Sequence, residues 1–150
     1  QYRMDNSTDP TSIGPDDMDS NQYTLRTVQT VFLDKARKQS LLPALGYISN
    51  QAKGRNKSYS RYDLGATYVR PVGWGCGWNL GLSYYPMTYQ NLSPKRVDND
   101  YTLTTGVSKP RKDWLIWGVT ANYTKNNASD ASFTYTKYML LTTATFITNF

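Results

Sequence analysis

Arg61 and Asp63 are the oppositely charged pair whose spacing points most directly to chemistry. Two positions apart in a strand, their side chains share a face and can meet. On a water-lined face such a pair either selects among passing ions or only compensates charge, and both readings stay open. Other chemistry is scarce. The sequence has no His and one Cys, Cys76, so no disulfide can form within it. A zinc, haem or Cys/His site would have to be built from carboxylates. A Ser–His hydrolase pair fails on the same inventory, and neither a G-x-S-x-G elbow nor a P-loop occurs. Gly73-Trp74-Gly75-Cys76-Gly77 joins two strand-like segments and opens no helix, which makes it a tight turn rather than a phosphate cradle. The expectation is a protein without catalysis, metal or cofactor.

The elements that must position these residues alternate with a period of two. Tyr62, Leu64, Ala66 and Tyr68 oppose Arg61, Asp63, Gly65 and Thr67, and Trp78, Leu80, Leu82 and Tyr84 oppose Asn79, Gly81, Ser83 and Tyr85. Tyr101, Leu103, Thr105 and Val107 oppose Thr102, Thr104 and Gly106. Leu115, Trp117, Val119, Ala121 and Tyr123 oppose Trp114, Ile116, Gly118, Thr120 and Asn122. From Tyr138 the alternate residues run Leu140, Thr142, Ala144, Phe146, Thr148 and Phe150. Two less regular strands, over 22–33 and 41–50, the second broken by Pro43, complete the set. The expected fold is all-β, an antiparallel up-and-down meander forming a transmembrane β-barrel or the C-terminal part of one.

A barrel fits because no segment has helical periodicity and so no helix is at hand to cover one face of the sheet. Tyr and Trp gather at strand ends and smaller apolar residues in the middles, as girdles at two headgroup levels would require. No apolar run is long enough for a transmembrane helix, whereas barrel strands need only alternation. The polar faces would line a lumen, with Arg26, Arg61, Asp63, Asn79 and Asn122 as its candidate residues. Polar loops near Pro15, Lys53, Asn91 and Ala128 alternate with shorter turns near Arg37, Gly73 and Pro110, which puts all the long connections on one side. Residues 1–21 read as a first strand cut short followed by an acidic mobile loop, and 22–150 as the barrel strands. Without an initiator Met or signal-like start, the chain reads as a processed mature protein or a piece of a longer one. An incomplete barrel must close with further strands or with copies of itself.

The net charge of +6 invites a nucleic-acid reading, but the basic residues cluster at strand connections, around Lys35, Lys53 and Lys109. There they form solvated turns or contact anionic lipid headgroups and lipopolysaccharide. No nucleic acid is expected as a partner. A second reading keeps the pattern but changes the solvent: a soluble or surface β-sandwich binding carbohydrate through exposed Tyr and Trp.

Tyr138, Leu140, Phe146 and Phe150, ending the sequence on an aromatic, resemble the last strand of Gram-negative outer-membrane β-barrels. The resemblance implies that these four positions form the signal read by the barrel-assembly machinery. It further implies an outer-membrane location and a wall serving as pore, export channel or scaffold, with the lipid bilayer, lipopolysaccharide and other envelope proteins as partners. Thr148 departs from the family's usual apolar residue, and Met139, Leu141 and Ile147 make the other face of this strand less polar than the pattern.

Overall fold

The computed structural model describes residues 2–5, 20–54 and 57–146. Strands β1 (Tyr2–Asp5), β2 (Ser20–Val28), β3 (Val31–Phe32), β4 (Ser40–Ala52), β5 (Tyr59–Val72), β6 (Cys76–Tyr89), β7 (Arg96–Lys112), β8 (Leu115–Ala128) and β9 (Tyr135–Phe146) form one sheet. All pairings are antiparallel and follow chain order, β1-β2-β4-β5-β6-β7-β8-β9, with β3 continuing the line of β2 along β4. The meander expected from the alternation is therefore present, but the sheet is not closed into a barrel. Among the described residues no helix is long and apolar enough to cross a membrane, which says nothing of strands.

The register aligns the alternating faces of separate strands into two continuous surfaces. One row runs Pro43, Ala66, Leu82, Leu103, Tyr123, Tyr138, and the next runs Leu41, Tyr68, Leu80, Thr105, Ala121, Leu140. On the opposite surface Ala44, Gly65, Ser83, Thr102, Thr124 and Lys137 stand in line, followed by Leu42, Thr67, Gly81, Thr104, Asn122 and Met139. The first surface is apolar and exposed, Leu82 by 62% and Leu140 by 73%, while Ile48 is the one hydrophobic residue in the buried class among those described. The chain exposes 10919 Å², against about 7,800 Å² for a compact globular protein of its mass. Burial is inverted relative to a water-soluble domain, where the apolar face would carry the core.

Curvature is written into the polar surface by glycines. Gly46, Gly65, Gly81, Gly106 and Gly118 occur one per strand from β4 to β8. Gly65 pairs with Ala44, two residues before Gly46, and Gly81 pairs with Thr67, two after Gly65. Gly106 pairs with Asn79 and Gly118 with Ser108, each again two residues on, so the glycines trace a straight diagonal across the sheet. A Cβ on Gly106 would lie 2.8 Å from Thr120 Oγ1 and 3.0 Å from the Val119 carbonyl, and one on Gly118 would lie 2.8 Å from Thr143 Oγ1. Neighbouring strands thus crowd together on this face, which is its concave side, and glycine at a sheet position marks such bends.

Prolines shape the ladder as well. Pro43 does not break its own strand: β4 runs through it. Pro43 accepts from the Gln29 amide at 3.0 Å but has no N–H to return to Gln29, and the interruption falls in the neighbour, between β2 and β3. The β5–β6 ladder likewise lapses opposite Pro86 and resumes in the same register. Pro110, expected in a turn, lies inside β7 at a register shift, and the turn comes at 113–114. Trp114, assigned by alternation to the polar face, is rotated by that turn to stack on Phe146 at 6.1 Å. The joins between β4 and β5, β6 and β7, and β8 and β9 lie at one end of the sheet, here the loop end. Those at 73–75, 113–114 and 33–39 lie at the other, and the last is as long as the loops, contrary to the expected contrast.

Candidate functional site

The concave face carries all five residues expected to line a lumen. Arg26 pairs with Gly46, which pairs with Asp63, and the missing side chain at Gly46 lets Asp63 approach. Arg61 and Asp63 form a two-pronged ion pair, Nε to Oδ1 at 2.7 Å and Nη2 to Oδ2 at 3.2 Å. The Tyr85 ring, also on this face, lies 5.2 Å from the Arg61 guanidinium carbon. Asn122 accepts from Thr104 Oγ1 at 2.7 Å, and Thr102 shares a 3.1 Å hydrogen bond with Thr124. Asn79 packs under Gly106, its Nδ2 where a Cβ there would meet it at 3.2 Å. Arg26 is exposed beside the sheet edge and has no direct bond to the Arg61–Asp63 pair, so the five form a lined surface rather than one cluster.

The denser polar site lies farther along the same face, at the loop end. Arg96, Asp98 and Asp100 alternate onto the concave surface at the start of β7, opposite Asn126 and Ala128 of β8. The Arg96 guanidinium is clamped between two rings, 3.6 Å from the centroid of Tyr89 and 3.9 Å from that of Phe133. Its Nε is 3.2 Å from Asp98 Oδ1, close enough for ion pairing, yet the two are not aligned for a hydrogen bond. Asp98 is 4% exposed and Asn126 3%, and Oδ1 of each lacks a hydrogen-bond donor. Buried polar groups of this kind are costly unless compensated, and Arg96 supplies the compensation for Asp98 by charge. Tyr135 donates to Asp100 Oδ1 at 3.4 Å.

Polar contacts, in place of an apolar core, fix the loops that form this mouth. Val97 and Ser129 exchange two bonds, Ser129 N to the Val97 carbonyl at 2.8 Å and Val97 N to Ser129 Oγ at 3.0 Å. Asp130 then accepts from Ser132 N at 3.0 Å and turns the chain so that Phe133 falls on Arg96. Buried Ser58 bridges both backbone groups of Ala52, at 3.0 and 3.2 Å, and Gln90 bonds Ser60. A cavity of about 560 Å³ opens beside the clamp, lined in part by Lys57, Lys95, Arg96 and Asp130.

The polar loops that the sequence places near Asn91 and Ala128 hid Asp98 and Asn126. In the structure β8 continues to Ala128. The alternation of Arg96, Asp98 and Asp100 with Thr102 and Thr104 was the signal that could have extended the polar face. Of the expected terminal signal, Tyr138, Leu140 and Phe146 lie on the exposed apolar surface of β9, whereas Phe150 lies outside the described residues, as do Ile147, Thr148 and 6–19. Among the described residues no group of three or more His, Cys, Asp or Glu side chains is placed to hold a metal. No protein-family model, curated protein or solved structure matches the chain.

Proposed function

We propose that this chain is the wall of an outer-membrane-type β-barrel, with a scaffold or channel role in a cell envelope and no catalysis. The observation that carries the reading is the inversion of burial. The apolar, aromatic-edged surface is exposed, and the glycine-lined concave surface holds the ion pairs and the buried Asp98 and Asn126. Hydrocarbon is the solvent that makes such a surface favourable. On β9 the apolar face runs over nine residues from Tyr138 to Phe146, about 27 Å along the strand and roughly 20 Å along the bilayer normal at a tilt near 40°.

Strand count bears on the role. An eight-stranded barrel closed on itself has an interior filled by side chains, which suits a scaffold, and an open pore requires further strands or copies. The concave bonds Thr104–Asn122 and Thr102–Thr124 already occupy that interior. A carbohydrate-binding sandwich would need a second layer over the apolar surface, and no described element supplies one.

The test is folding of the purified chain with and without detergent or lipid, read by gel mobility before and after boiling. A faster-migrating, boiling-sensitive form that requires detergent or lipid supports the barrel wall. A monodisperse folded monomer in buffer alone overturns it.

A further inference from the structure

The two ends of the apolar surface differ in chemistry. The loop end is edged by tyrosines that pair across strands: Tyr47 with Tyr62 at 5.2 Å, Tyr84 with Tyr101 at 4.9 Å, Tyr123 with Tyr138 at 5.1 Å. The turn end holds all four tryptophans of the sequence, Trp74, Trp78, Trp114 and Trp117. There Phe32, Trp78, Trp114 and Trp117 each have a cation over the ring or directly across the strand pair. Arg37 lies over Phe32 and Lys112 over Trp114, both at 5.4 Å, while Arg70 pairs across strands with Trp78 and Lys109 with Trp117. Asp34 and Asp113 are the acidic residues of these connections, and Asp34 is engaged in its own turn, accepting from Gln39 N at 2.8 Å. Trp74 protrudes furthest, 92% exposed between two glycines and held at φ 63, a left-handed conformation that bulky residues rarely adopt.

Taking the barrel reading as its basis, we propose that this turn-end rim binds anionic phospholipid headgroups, so that the two rims of the wall address chemically different leaflets. Indoles favour the boundary between headgroup and acyl chain, and their paired cations stand at the height of the phosphates. The tyrosine rim has hydroxyl donors and brings Lys125 opposite Tyr101, whereas the turn-end rim sets a cation beside each of four aromatics. A bare solvated turn would not require its basic residues to sit over aromatic rings, nor an indole to be displayed at a strained tip.

The test uses the full chain and vesicles either of phosphatidylcholine alone or with about one lipid in four replaced by phosphatidylglycerol, at low salt. The variant Lys109→Gln/Arg111→Gln/Lys112→Gln is compared with the parent. Intrinsic fluorescence reports this rim alone, because every tryptophan lies in it. The parent should bind and fold about tenfold or more better on the anionic vesicles, with blue-shifted emission, and salt or the triple substitution should abolish the gain. Equal folding on both vesicles overturns the proposal and leaves the barrel wall standing. Absence of any boiling-sensitive form on either vesicle overturns both. A gain on anionic vesicles that survives the triple substitution also overturns the assignment to this rim.

Discussion

Gly106 sits so close to Thr120 that a Cβ on the glycine would come within 2.8 Å of the threonine hydroxyl. That contact is one step of the glycine diagonal, and it ties local sequence to the curvature of the whole sheet.

Gly106→Ala should therefore destabilise the folded form by about 1–3 kcal/mol, because one of the atoms a Cβ meets is the Val119 backbone carbonyl, which cannot rotate away. Gly73→Ala is the control, since a Cβ there meets nothing. Urea midpoints in detergent decide it, and equal midpoints for the two would remove the account of curvature.

Pro43 predicts a gain. Pro43→Val restores the donor missing opposite Gln29 and should join β2 to β3, adding about 0.5–1.5 kcal/mol. Amide exchange at Gln29 and Val31 should slow. Unchanged exchange would mean that the missing donor is not what divides the two strands.

Phe133→Ala opens one side of the clamp on Arg96, a contact worth about 0.5–2 kcal/mol. Limited proteolysis should then cut within 129–134 while the strands stay resistant. If 129–134 remains uncut, the ring is not what holds the loop.

For Arg61 and Asp63 a double-mutant cycle should give a coupling of about 1 kcal/mol or less, since the arginine side chain keeps 31% of its exposure. In a conducting barrel Arg61→Gln should also shift ion selectivity. A coupling near zero with unchanged selectivity would reduce the pair to surface decoration.

The legibility of the fold followed the contrast between its two faces. Around Leu64, Leu82 and Leu103 apolar and polar residues alternate sharply, and there the strands and the shared face of Arg61 and Asp63 could be read directly. Beyond the tyrosines both faces are polar, so Lys125, Asn126 and Asn127 carry no alternation and looked like loop although they are strand. The mouth around Asp98 and Asn126 was hidden for that reason. Pro43 misled in another way, because a proline withdraws one donor from one neighbour and need not end its own strand. Closure depends on what lies along the outer edge of β9, which no residue pattern within the sequence specifies.

The most direct test of the central claim compares two adjacent positions in a Cys76→Ser background. Leu82→Cys and Ser83→Cys, each labelled with an environment-sensitive fluorophore, are folded into vesicles whose acyl chains carry a quencher. Leu82 lies on the exposed apolar surface and Ser83 between Gly65 and Thr102 on the concave one. The account predicts strong quenching and blue-shifted emission at 82 and little of either at 83. Equal quenching at both positions, or the reverse order, would contradict it.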